Sequence, residues 1–247
     1  MIKQIVFFGS SPFSVVVLEK LLSAHCSVLS VVTTEDKPVG RHLKLTPNPV
    51  KALAQKYNIL VFDNIKSFLE HDWPDCIGLV AAYGRIMGPK TLGKFDGQVF
   101  GIHPSLLPKY RGPSPLQRQI LDGVSDTGVT IFKVDLGEDT GPIVATVHNN
   151  ILENDTTITL GNRLFELGVN WFIENLLKIV NCKLKIQDES LATFTKKLTR
   201  QDGFIPWEKF NSMISNSDSQ LEHLFRALYP WPGVWTINPE GKRIKIS

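Results

Sequence analysis

The sequence predicts an α/β fold: a doubly wound, mostly parallel sheet, followed by a linker and a short, truncated C-terminal segment. Two patterns carry the prediction. Through the first half, short continuous apolar runs alternate with stretches of helical periodicity, and continuous apolarity marks strands covered on both faces. After residue 125 apolar and polar positions alternate instead, as in antiparallel strands. Composition agrees, since 43% hydrophobic and 21% charged residues in a chain of 247 suit one large domain, or a medium domain with a small appendix.

The elements follow in order. "KQIVFFG" reads as a buried strand, and the helix after it carries Val15, Leu18 and Leu22 on one face. "SVLSVVT" is a second strand and "PVKALAQKY" a second helix, while "CIGLVAAYG" and "QVFGIH" are further continuous runs of strand length. "TGVTIFKVDLG" and "GPIVATVHN" form an antiparallel pair joined by "EDT", with Asp139 near the turn. Leu160, Leu164, Leu167 and Trp171 space a long helix. These elements place a first unit at residues 1–182, a linker at 183–210 and a last unit at 211–247. That last unit holds a helix around Leu221–Leu228, the rigid "YPWPGVW" and a strand-like "KRIKIS", too little chain to close a barrel.

Charge and cysteine usage narrow the class. A net charge of +3 is mild, so contact with nucleic acid requires a local basic patch rather than a global field. Cys26, Cys76 and Cys182 lie far apart, without the spacing of a disulfide framework or a zinc site. The apolar run at the N-terminus is too short for a signal-peptide core, and no window approaches a membrane span. A soluble cytoplasmic protein without a metal is expected.

Several loops carry candidate chemistry. "GSSPFS" at 9–14 lacks the glycines of a dinucleotide fingerprint and reads as a tight strand-to-helix turn with a serine cap. The stretch 34–51 is a long polar loop whose charges are nearly all positive, with Lys37, Arg41, His42, Lys44 and Lys51. Loops of this length are uncommon between strand and helix, and their cations suit phosphate. "AAYGRIMGP" at 81–89 exposes backbone at a strand end, where amides and carbonyls can read the edge of a planar heterocycle. His103 closes "QVFGIH" and is followed by the constrained "PSLLP". Ligands of parallel α/β sheets bind at such carboxyl ends. A carboxylate beside an imidazole fixes its tautomer and favours its protonated form, which pairs His103 with Asp139 as donor and base.

Seven stretches, "FFGSSPFSVVVLEKL", "DKPVGRHLKLTPNPVK", "VAAYGRIMGP", "HPSLLPKYRGPSP", "TGVTIFKVDLGEDTGPI", "KLTRQDGFIPW" and "RALYPWPGVWT", span nearly the whole chain. In that order they resemble the 10-formyltetrahydrofolate-dependent formyltransferases, most closely the branch acting on methionyl-tRNA. The resemblance implies a Rossmann-like, folate-binding catalytic domain over 1–182, with 10-formyltetrahydrofolate as co-substrate and initiator methionyl-tRNA as acceptor. It implies that His103 stabilises an oxyanion while Asp139 orients it and helps deprotonate the amine. Arg85, Ile86, Met87 and Asp139 would meet the pterin edge, with Ser105, Leu106, Leu107 and Pro108 shaping the pocket. Lys37, Arg41, Lys44 and Lys51 would contact tRNA.

Two departures stand out. The family places an asparagine two residues before the histidine, where this chain has Gly101, and the small C-terminal barrel is largely missing. Residues 101 and 103 should face the same pocket, since alternate side chains of a strand point the same way. Glycine is then expected to leave the amide's space to water, at a typical cost of about 10²–10³ in rate unless Asn48 or Asn149 substitutes. Two other readings stay open: a sugar-nucleotide N-formyltransferase, and a folate- or tRNA-binding homologue whose activity Gly101 has removed.

Overall fold

The computed structural model describes residues 4–39 and 44–246. Its elements run β1 (Gln4–Phe8), α1 (Pro12–Ser23), β2 (Val28–Val32), β3 (Lys37–Val39), β4 (Lys44–Thr46), α2 (Pro49–Lys56), β5 (Leu60–Phe62), α3 (Ile65–Leu69), β6 (Cys76–Ala81), α4 (Pro89–Gly93) and β7 (Val99–His103). They continue with α5 (Pro115–Leu121), β8 (Asp126–Lys133), β9 (Ile143–Asn150), α6 (Thr157–Asn175), α7 (Trp207–Ser215), α8 (Ser219–Leu228), β10 (Val234–Ile237) and β11 (Arg243–Ile246).

The main sheet has the order β5-β2-β1-β6-β7-β8-β9. Its first five strands are parallel, and β8 and β9 add antiparallel to the edge. The chain leaves β1 toward β2 and β5, then returns to the other side of β1 as β6, so the order reverses between β1 and β6. Burial explains the continuous apolar runs. Ile5 and Phe7 of β1 sit in one core cluster and Val6 and Phe8 in a second on the opposite face, all fully buried. The second face is an aromatic nest in which Phe8 meets Phe68, Tyr83 and Phe95 edge-on, while Trp73 stacks on Phe68.

Helices α1 and α6 cover the first face. The buried stripe of α1 is Val17, Leu18 and Leu21, with the expected Val15 and Leu22 packed at its margin. On α6, Leu160 and Leu164 are buried as expected, but Gly161, Phe165, Gly168, Val169 and Phe172 complete the face while Leu167 and Trp171 sit at its margin. Gly168 is required by close approach: a Cβ there would stand 2.6 Å from Ile102 and 2.8 Å from Val129. Thr156 caps α6 in a capping box with Thr159, braced by Asp155, buried at 2% exposure, whose carboxylate pairs with Arg163 and accepts from the Leu152 amide at 2.8 Å. Burial alone would push that carboxyl up; Arg163, Leu152 and Thr159 outweigh it and hold the group below its ordinary range.

Two expectations need correction. The loop 34–51 contains a short antiparallel pair, β3 with β4, which charged residues without alternation did not signal. The stretch 183–210 is not a free tether. It pairs Lys185 with Ile143 and Phe194 with Arg111, and α7 begins inside it. Beyond it, α8 packs on α5, Thr157 donates to the Ala227 carbonyl at 2.6 Å, and Arg226 donates to that of Asp155 at 3.0 Å. Among the described residues no helix is long and apolar enough to cross a membrane.

Candidate active site

The strand order reverses between β1 and β6, and a crevice at the carboxyl ends of strands is where such sheets take ligands. A cavity of about 490 Å³ opens there, lined by Ser10 and Ser11 after β1, Ala82–Met87 after β6, Gly101 and His103 of β7, and Asp135 and Gly137–Asp139 after β8. Serines build the first wall. Ser11 caps α1 in a capping box with Ser14, as the turn reading expected. Ser14 Oγ donates to the Ala81 carbonyl at 2.7 Å and Ser10 Oγ to that of Tyr83 at 2.6 Å, tying the two loops together across the switch point.

His103 is 6% exposed, and its ring is held from both sides. Nε2 lies 2.9 Å from the Tyr110 carbonyl, which only accepts, so Nε2 carries a proton. Nδ1 stands 3.4 Å from Asp139 Oδ2. That is longer than a closed charge-assisted bond, which leaves this nitrogen shared between the carboxylate and the cavity. The backbone carbonyl, rather than Asp139, is therefore the closer anchor of the ring. Asp139 is anchored in turn, its Oδ2 accepting from the Gly112 amide at 2.8 Å. The turn presenting it folds on itself: Asp135 Oδ1 accepts from the Gly137 amide at 3.0 Å and from Thr140 Oγ1 at 2.7 Å. Within that turn Asp139 adopts φ +56°, a left-handed conformation that side-chain-bearing residues seldom take.

Of the residues expected at the folate, Arg85, Ile86, Met87 and Asp139 line the cavity. Ser105, Leu106, Leu107 and Pro108 stand outside its lining. Ser105 is fully buried and donates to the Lys109 carbonyl, the Leu107 amide donates to Thr130 Oγ1 at 3.1 Å, and the Leu107 side chain packs with Phe132 and Ile143. This run shapes the loop that carries Tyr110 and Gly112, not the pocket surface. Among the residues expected at tRNA, Arg41 lies outside the described residues, as do the side chains of Lys37 and Lys44. Lys51 is spoken for: its ammonium lies 3.1 Å from both Asp36 and Asp63, and hydrogen bonds to those carboxylates raise its pKa. It braces the base of the hairpin and is withdrawn as a phosphate ligand.

Gly101 needs the largest correction. Its cross-strand partner on β8 is Phe132, and the phenyl ring lies over it. A Cβ at 101 would meet Phe132 Cε1 at 2.4 Å and Cζ at 2.7 Å. An aromatic ring, not water, fills the space where an amide was expected. Neither suggested substitute lines the cavity, and Asn48 Nδ2 is already engaged, donating to the Ser10 carbonyl and Thr34 Oγ1. Gly101→Asn alone should thus lose about 1–3 kcal/mol to overpacking, a drop of several degrees in Tm, with no gain in rate. Gly101→Asn combined with Phe132→Ala should run at least tenfold faster than Phe132→Ala alone. Thermal melts and single-turnover rates on the three variants check this; a faster single variant at unchanged Tm would mean the ring swings aside freely.

A ligand cavity at the switch point with an imidazole and a carboxylate at its edge is the arrangement of an α/β enzyme rather than of a scaffold. The chain belongs to the formyl transferase family, whose sequence profile matches residues 3–176. It is a homologue of methionyl-tRNA formyltransferase, 39% identical over 252 residues to the protein of that name from Caldicellulosiruptor saccharolyticus, covering 98% of this chain and 78% of that one. Among solved structures, a 4-N formyltransferase from Francisella tularensis matches with a TM-score of 0.75 at 16% identity, over 100% of this chain and 97% of that one. An N-formyltransferase from Helicobacter canadensis, in complex with folinic acid and dTDP-3-aminofucose, matches with a TM-score of 0.66 at 21% identity, over 97% and 85%. At those identities the likeness is one of fold.

Proposed function

We propose that this protein transfers the formyl group of 10-formyltetrahydrofolate to the amino group of methionyl-initiator-tRNA. The observation that carries the reading is the approach of His103 Nδ1 to Asp139 at the edge of the switch-point cavity. The acceptor rests on the extended similarity to a methionyl-tRNA formyltransferase. The amine attacks the formyl carbon, and the carbonyl oxygen gains the charge that an N–H at Nδ1 of His103 stabilises. Asp139 Oδ1, which carries no hydrogen bond from the described residues, is placed to take the amine proton. The bond from the formyl carbon to N10 of the folate then breaks, and the proton returns to that nitrogen.

Transfer to an amino-sugar nucleotide is the second reading, favoured by the fold shared with the Helicobacter canadensis protein. Incubation with 10-formyltetrahydrofolate and each acceptor separates the two: formylated methionyl-tRNA is expected, and product on the sugar alone overturns the assignment. Product on neither would leave a binding homologue. For the basic loop 34–51, Arg41→Ala with Lys44→Ala should weaken tRNA binding and leave folate binding unchanged. The log–log salt slope should fall by roughly 0.7–0.9 for each phosphate that is no longer neutralised. Filter binding across a salt series reads this directly, and an unchanged slope would remove the loop from the tRNA interface.

A further inference from the structure

Asp139 holds a left-handed backbone conformation, φ +56°, at the edge of the cavity. Such a conformation is disfavoured for residues with a side chain, less so for Asp than for most, and contacts to its backbone help to hold it. Besides the hydrogen bonds of its own turn, one brace on it comes from outside residues 3–176, the span that the family profile covers. Gln187 is 5% exposed, and its Nε2 donates to the Asp139 carbonyl at 2.8 Å and to the Gly141 carbonyl at 2.7 Å. Its Oε1 accepts from Arg111 Nε at 3.1 Å and Nη2 at 2.8 Å. Two donors and two acceptor sites are all that a primary amide possesses, so every one is engaged.

Arg111 closes the frame. It is 1% exposed, it donates to both carboxylate oxygens of Glu189 at 2.7–2.8 Å, and its guanidinium lies 5.8 Å from the Phe194 ring. The Arg111 amide donates to the Thr193 carbonyl and the Thr195 amide to the Arg111 carbonyl, so the strap 187–195 pairs with the loop that ends in Gly112. Asp139 is thus gripped twice by one unit: its carboxylate by the Gly112 amide, its backbone by Gln187.

We infer that Gln187 is a positioning residue of the active site, setting through the Asp139 carbonyl the orientation in which that carboxylate faces His103. The inference rests on the reading of Asp139 as the catalytic carboxylate. A purely structural amide would lower stability without separating turnover from binding. A positioning amide lowers turnover far more than binding, because Asp139 is one wall of the cavity while Ser10, Ser11 and the stretch 82–87, which make up others, do not touch Gln187.

Gln187→Glu tests this in the full chain. The introduced carboxylate keeps the acceptors for Arg111 but sets oxygens against the carbonyls of Asp139 and Gly141. Expected at pH 8 is a kcat at least tenfold below wild type, with both KM values within threefold. A kcat within twofold of wild type at pH 8, or a parallel rise in the folate KM, overturns the role. If Gln187→Glu does not fold, Gln187→Asn, which keeps the amide but shortens its reach, must show the same split between kcat and KM; full activity overturns the role equally. Asp139→Asn is measured alongside. If it is active, the reading of the site itself fails; if it is inactive while Gln187→Glu turns over normally, only the positioning role fails.

Discussion

His103→Ala is expected to lower kcat by about 10²–10⁴, the range usual for acid–base groups, while folate affinity stays within a few fold. The imidazole acts on charge that develops only as the amine adds to the formyl carbon, so its loss falls on the transition state and spares the ground state. Stability should change little. The ring faces the cavity, which water can enter, and the orphaned Tyr110 carbonyl can be hydrated from that side. Pre-steady-state rates and equilibrium folate titration on the same preparation give the two numbers. A variant that retains more than a tenth of wild-type turnover would remove His103 from the chemistry.

Asp139→Asn should be nearly as severe for a different reason. An amide oxygen in place of Oδ2 can still accept from Gly112 at 2.8 Å, so the turn and the imidazole keep their places. What disappears is the basic oxygen that takes the amine proton, together with the negative charge facing His103 Nδ1. The melting temperature should remain near that of wild type, while kcat falls by about 10²–10⁴ and the KM values hold. Turnover within a factor of ten of wild type would show that the proton leaves by another path.

How far these groups could be read from the sequence depends on the range over which each is determined. Apolar runs place β1, β6 and β7, and with them the strand end at His103, because burial on both faces is written into consecutive residues. Asp139 follows from a turn signal only a few residues long. Phe132 was out of reach. Its position over Gly101 depends on the pairing of β7 with β8, and a register shift between Ile131 and Phe132 lies on the other side of that strand. Gln187 left no local trace in "KIQDES", because all its partners lie at residues 111, 139 and 141. The apolar "SLLP" suggested a pocket wall, yet Thr130 and the Leu107–Ile143 cluster draw that run away from it. Lys51 looked like part of a cationic surface because Asp36 and Asp63 approach it only in three dimensions.

The clasp between Arg111 and Gln187 also fixes when a newly made chain can become an enzyme. Synthesis proceeds from the N-terminus, and domains generally fold in that order. His103 and Asp139 leave the ribosome well before Gln187, Glu189 and Thr195, which complete the loop and turn around them. During that interval the sheet can form and the cavity can open, but the Asp139 backbone lacks its brace from Gln187 and is held only by its own turn and the Gly112 amide. A nascent chain halted before the strap emerges would therefore bind folate before it reached full turnover.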